Sequence, residues 1–221
     1  MRKLLSSTKK LISLSLILSL CLTMNSFAST LPTDSVFVCK YDELVNSLDY
    51  DIEYQRAKDG ISDLPISQKT LDSFDATVSD EVGNITKLNV YATVKKLGSI
   101  TYSEETENVY SLTVFASDKT DSGSEHYSST TAYGNLIWTD NYGPDNNLVQ
   151  VNGGWSTSGD QISNRIVEYG LNPYGTVRHP SGNSFTYSGT SDMTGLLLFL
   201  ETNADVNGNN LRLRILNSPF T

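Results

Sequence analysis

The stretch AYGNLIWTDNYGPDNNLVQVNGGWSTSGDQISNRIVEY, residues 132–169, decides how the chain is read. It contains both tryptophans and the densest run of turn-forming residues in the protein. Its pieces read as a strand ending at Thr139, an Asp/Asn/Gly/Pro turn, a strand over Leu148–Val151, a Gly153-Gly154-Trp155 corner and a strand around Arg165–Tyr169. Short strands separated by turns of this kind are the signature of antiparallel β structure.

The same period extends outward on both sides. Upstream, Leu88, Val90, Ala92 and Val94 alternate with Lys87, Asn89, Thr93 and Lys95, the pattern of a half-buried strand. Gly98-Ser99 reads as a turn and Glu104 to Glu107 as an acidic loop, after which Tyr110, Leu112, Val114 and Ala116 share one face of a second strand. Downstream, short strands are expected at Thr176–His179 and Ser184–Tyr187. A closing hairpin follows, in which Leu196–Glu201 and the alternating Leu211, Leu213 and Ile215 flank a loop over Asp205–Asn210, with Asn207-Gly208 suited to positive φ. About eight or nine short strands at spacings of about ten residues predict a mainly β domain, an antiparallel β-sandwich or jelly-roll-like fold, over residues 81–221.

Residues 29–80 follow another pattern. Tyr41, Leu44, Val45, Leu48 and Ile52 recur at helical spacing, with Asp42 placed to cap and Gly60 to stop. This predicts an N-terminal amphipathic helix of about four turns, with Asp49, Asp51, Glu53 and Arg56 on its exposed face. A linker from Asp59 to Phe74 then joins the helix to the β domain.

At the start of the chain, Met1-Arg2-Lys3 and Lys9-Lys10 precede the apolar Leu11–Leu22 and a Ser26-Phe27-Ala28 cleavage site. Residues 1–28 are therefore expected to be a secretory signal peptide cleaved after Ala28. The apolar run falls short of the ~20 residues a spanning helix needs, so no transmembrane anchor is expected. Leu20 stands before Cys21 where lipidation needs a small residue. Removing Arg2, Lys3, Lys9 and Lys10, and no acid, takes the formal charge from −9 to −13 and leaves 193 of 221 residues. Such an acidic surface argues against nucleic acid and anionic lipid as partners. Only Cys39 would remain, so no intramolecular disulfide could form; export without disulfides fits a Gram-positive bacterial extracellular protein.

No motif fixes a reaction. Gly154-Trp155-Ser156-Thr157-Ser158-Gly159 resembles a nucleophile elbow, but its closing glycine is one residue late, and His126 and His179 are the only imidazoles. Those two histidines and one cysteine lack zinc-ligand spacing. Calcium has oxygen-rich candidate loops at Asp140 and Asp145 and at Asp205 and Asn207, although turn formation explains both. Asp140, Asp145, Asp160 and Glu168 are candidate acids for a carboxylate-based hydrolase, with nothing in their spacing that selects a pair. Aromatic residues near turns, Trp138, Tyr142, Trp155, Tyr169 and Tyr174, are candidates for stacking on sugar rings, although the strand pattern around Trp138 favours the core and Trp155 fits either place.

The expectation is a secreted, non-enzymatic, cofactor-free binding or surface-interaction module whose partner is a glycan or a protein at a cell surface. A pore-forming protein is the first alternative, because the Ser/Thr-alternating stretch 108–133 could form an amphipathic hairpin. A hydrolase is the second.

Overall fold

Period-two alternation dominates the chain beyond Phe74, and the fold follows it. A computed structural model describes residues 42–64, 74–102, 105–117, 129–140, 147–171, 174–189 and 197–217. Helix α1 (Tyr50–Lys58) is followed by strands β1 (Phe74–Ser79), β2 (Ile85–Lys87), β3 (Asn89–Tyr102), β4 (Glu105–Ser117), β5 (Thr131–Thr139) and β6 (Asn147–Ser156). Strands β7 (Ile162–Leu171), β8 (Tyr174–Arg178), β9 (Ser184–Ser188), β10 (Leu198–Val206) and β11 (Asn209–Asn217) complete the order. Leu44–Thr221 forms one compact unit.

The strands make two sheets, a six-stranded one in the order β2-β1-β11-β10-β7-β8 and a five-stranded one in the order β3-β4-β5-β6-β9. Every pairing among the described residues is antiparallel. The two sheets pack face to face as a β-sandwich. The six-stranded sheet gives Val167, Tyr169, Leu200, Leu213 and Ile215 to the core, and the five-stranded sheet gives Leu112, Val114, Leu136, Val151 and Trp155. A Cβ on Gly134 of β5 would lie 2.8 Å from Ile215 Cδ1 and 2.9 Å from Leu200 Cδ2, which shows how closely the layers meet.

The alternation read from the sequence carries over to this core. Val94, Leu112, Val114 and Ala116 are core residues, with Leu88, Val90, Ala92 and Tyr110 packed against them. The last hairpin turns on Asn207 at φ 51° and Gly208 at φ 87°, as its two-residue turn requires, but its strands run through most of the expected loop.

Other local expectations are corrected. Gly153 and Gly154 form no corner, because β6 runs straight through them. A Cβ on Gly153 would lie 2.5 Å from Phe185 Cζ, and one on Gly154 would collide with the Asn183 carbonyl. Glycine here admits close approach of β9 to β6 rather than a change of direction. Gly98-Ser99 also lies within a strand, at a register shift of β3 against β4, and Glu105–Glu107 belongs to β4. Within residues 29–80, read as lying before the β domain, Phe74–Ser79 forms β1, paired to β11.

The helix is shorter than expected and rotated. A helical turn at 42–45 ends, and α1 starts afresh at Tyr50, where the Asp49 carboxylate accepts hydrogen bonds from the Asp51 and Ile52 amides. The phase set by Leu44, Val45 and Leu48 therefore does not continue. The buried stripe instead follows Tyr50, Glu53, Tyr54 and Ala57, leaving Ile52 56% exposed while Glu53 is wholly buried. Among the described residues, no helix is long and apolar enough to cross a membrane.

Candidate functional site

Because side chains alternate across a strand, the outer face of the five-stranded sheet can be read from the register. Tyr91, Phe115 and Tyr133 lie side by side across β3, β4 and β5. The next row is Thr93, Thr113, Asn135, Asn152 and Thr186, and the one beyond it Lys95, Ser111, Ile137, Gln150 and Ser188. An aromatic row thus borders two rows of mostly hydroxyls and amides. The composition is that of a face built to meet water or a polar ligand.

Its centre is nevertheless covered. Thr93, Thr113 and Asn135 have 0%, 1% and 0% exposure, and Ser111 and Asn152 are also buried. Helix α1 lies over β3 and β4, with the Tyr50 ring 5.0 Å from Tyr133 and the Tyr54 ring 5.1 Å from Phe115 and 6.2 Å from Tyr91. Glu53 Oε1 accepts a 2.9 Å ion-paired hydrogen bond from Lys95 Nζ, and its second oxygen lies 3.6 Å from Arg56 Nε. Burial of an unpaired carboxylate would be prohibitive, so this pairing fixes the rotation of the helix.

The polar groups form a local network. Asn135 Nδ2 donates to Ser111 Oγ at 2.6 Å and to Thr113 Oγ1 at 2.8 Å. Gln150 Nε2 donates to Asn152 Oδ1 at 2.6 Å, and the Asn152 side chain also hydrogen-bonds the Tyr50 hydroxyl. Burial, reinforced by the neighbouring Tyr133 and opposed by that Asn152 bond, pushes the Tyr50 hydroxyl up to about 12. Burial also raises the Tyr133 hydroxyl. Three acceptors on or over this face have no hydrogen-bond partner: Asn135 Oδ1, Thr139 Oγ1 and Glu53 Oε2, the last with only its 3.6 Å approach to Arg56 Nε. Each neutral one costs about 1–3 kcal/mol in the closed arrangement. Stacking and hydrogen bonding are the interactions that the side chains of this face can make.

The residues nominated from sequence lie elsewhere. Trp138, Trp155 and Tyr169 belong to the core, at 3%, 2% and 3% exposure, so they form no exposed platform. Sheet parity places them there: Trp155 stands opposite the small Ala132, and Tyr169 stacks on Tyr187 with ring centroids 5.7 Å apart. Tyr174 is 66% exposed on edge strand β8, apart from the face described above. Tyr142 and Asp145 lie outside the described residues, as do residues 1–28, expected to be a signal peptide, and Cys39 and His126.

The nominated acids take part in turns and ladders. Asp140 accepts from the Asn108 amide at 2.6 Å and from Asn108 Nδ2 at 2.7 Å. Asp205 accepts from Asn164 Nδ2, and Asn207 Nδ2 donates to Asp160 Oδ1 at 2.9 Å. Among the described residues, no group of three or more His, Cys, Asp or Glu side chains is placed to hold a metal ion. Glu168 is the register partner of Glu201 on the outer face of the six-stranded sheet. Glu201 is drawn to Arg212 at 2.8 Å; burial works to raise its carboxyl, but hydrogen bonds from Arg212 and Asn203 outweigh this and hold it below the usual range.

Sequence reading missed this face because its residues, taken singly, are ordinary strand residues. The available signal was the polar half of each alternation, Thr93, Ser111, Thr113, Asn135 and Asn152, with aromatics in register. That register becomes visible only once the strand order is known. No protein-family model, curated protein or solved structure matches the chain.

Proposed function

We propose that the protein is a secreted, non-enzymatic binding module that takes a neutral glycan on the outer face of its five-stranded sheet. The observation that carries this reading is the aromatic row Tyr91–Phe115–Tyr133 lying in register beside a row of uncharged hydroxyls and amides. Aromatic faces stack on the C–H surfaces of sugar rings, and Asn, Gln, Ser and Thr match sugar hydroxyls as donors and acceptors. Lys95 is the one charged residue in the three rows described, and the chain's formal net charge of −9 disfavours polyanionic ligands. Secretion, with cleavage after Ala28, is part of the proposal and would bring the module to such a polymer.

The test is retention on a panel of neutral polysaccharides and cell-wall preparations, comparing the parent protein with Tyr133→Ala and Asn152→Ala. Selective retention by the parent, weakened about tenfold or more in both variants, is the expected result; that is about 1.4 kcal/mol each. Retention by no polysaccharide, or retention unaffected by both substitutions, would sink the reading.

A further inference from the structure

We propose that residues 44–64 act as a strap that closes the glycan face and must swing away for that face to bind. The inference rests on the glycan reading for what the uncovered face receives; the motion itself is argued from the strap and what lies beneath it.

The strap is attached unequally along its length. At its C-terminal end, the Asp63 amide donates to the Val94 carbonyl at 2.8 Å, Asp63 Oδ2 accepts from the Lys96 amide at 2.9 Å, and the Val94 amide donates to Ser62 Oγ at 3.1 Å. These backbone contacts fasten it to the edge of β3. Between this tether and α1 stands Gly60 at φ 67°, which ends the helix with the Ile61 amide donating to the Arg56 carbonyl at 2.9 Å; the swing is placed just beyond this cap, where the chain leaves the helix for the tether. Helix α1 itself is held by rings and ion pairs, Tyr50 on Tyr133, Tyr54 on Phe115 and Tyr91, the buried Glu53 on Lys95, and Arg56 on Asp63 of the tether at 2.8 Å.

Opening exposes surfaces that tolerate water. The face beneath is rich in Ser, Thr and Asn, including an orphaned Asn135 Oδ1 that would gain partners on opening. The stripe the helix would expose is Tyr50, Glu53, Tyr54 and Ala57, three of which have polar groups. The strap also occupies the face much as a ligand would: its two tyrosines meet the aromatic row, and the Tyr50 hydroxyl takes a hydrogen bond from Asn152. Strap and glycan therefore compete, and apparent affinity scales with the open fraction.

The test uses a Cys39→Ser background. Leu44→Cys with Gly98→Cys forms a lock, since a Cβ at position 98 lies 3.8 Å from Leu44 Cγ. Glu53→Gln loosens the latch, and Thr113→Cys reports access by its alkylation rate. The expected results are at least tenfold weaker polysaccharide retention in the oxidised lock, recovery on reduction, and several-fold faster alkylation and tighter retention with Glu53→Gln. Retention equal in the oxidised and reduced lock would overturn the strap while leaving the glycan reading intact. Alkylation of Thr113→Cys that is unchanged by Glu53→Gln and occurs only on global unfolding would also overturn it. Faster alkylation with no retention in any variant would support the moving strap and remove the glycan as its competitor.

Discussion

Asp160 joins three distant parts of the chain through one carboxylate. Its Oδ2 accepts from the Ser129 amide at 2.8 Å, Ser129 Oγ at 2.9 Å and Thr130 Oγ1 at 2.7 Å, while Oδ1 accepts from Asn207 of the final hairpin. Burial works to raise its carboxyl, but the hydrogen bonds from Thr130, Asn207 and Ser129 prevail and bring it down to about 2. A folded-state value below the unfolded one contributes stability above about pH 4, which is lost as pH falls through 2. After allowance for solvent screening at this partly exposed site, the contribution is on the order of 1 kcal/mol. Denaturant unfolding of Asp160→Asn should therefore show lower stability than the parent at pH 7, with the gap closing at pH 2. An equal gap at both pH values would mean that the carboxylate charge is not what matters. In the sequence Asp160 is legible only as one acid among many, because its partners Ser129 and Asn207 lie 31 and 47 residues away. The tryptophans taught the opposite lesson: their chemistry was plain, but which side of the sheet they occupied depended on register.

At the scale of elements, the strands were legible, and so was a helix ending before Gly60, but the start and rotation of that helix were not. A strand has two faces, so the alternating apolar residues from Leu88 to Val94 and from Tyr110 to Ala116 were enough to place the core side. A helix can rotate continuously, and the ion pair between Glu53 and Lys95 outweighed the apolar spacing that ended at Ile52. The same packing makes α1 sensitive to alkali. Burial raises the Tyr50 hydroxyl to about 12 from 10, so its contribution is complete below pH 10 and is lost as pH rises through 12. The loss is on the order of 2 kcal/mol at most. Alkaline titration followed by helix-specific hydrogen exchange should show α1 loosening between these values, and Tyr50→Phe should move the loss to higher pH. An identical alkaline limb in Tyr50→Phe would show that another group controls it.

For the molecule as a whole, the mainly β class and the antiparallel sandwich were foreseeable, since both follow from strand spacing and turn chemistry. The strand order and the face brought under the strap were not, because they depend on pairings such as Phe74 with Ile215 that no local pattern encodes. The core gives a direct check of this arrangement. Trp138 and Trp155 are both buried between the sheets, so native fluorescence should be blue-shifted and poorly quenched by acrylamide. Trp155→Ala should cost about 3–5 kcal/mol of stability through the cavity it leaves beside Phe185. Glycan retention by the fraction that stays folded should be unchanged, because Trp155 points away from the proposed face; a selective loss of retention without loss of stability would reverse that assignment.

The pairing of β1 with β11 brings together strands from near the two ends of the described chain, and β11 also pairs with β10. During synthesis, the six-stranded sheet cannot close until residues 209–217 have been made, however early the other strands become available. The six-stranded layer is thus the later of the two to assemble by topology alone, since the five-stranded layer needs only residues 89–188.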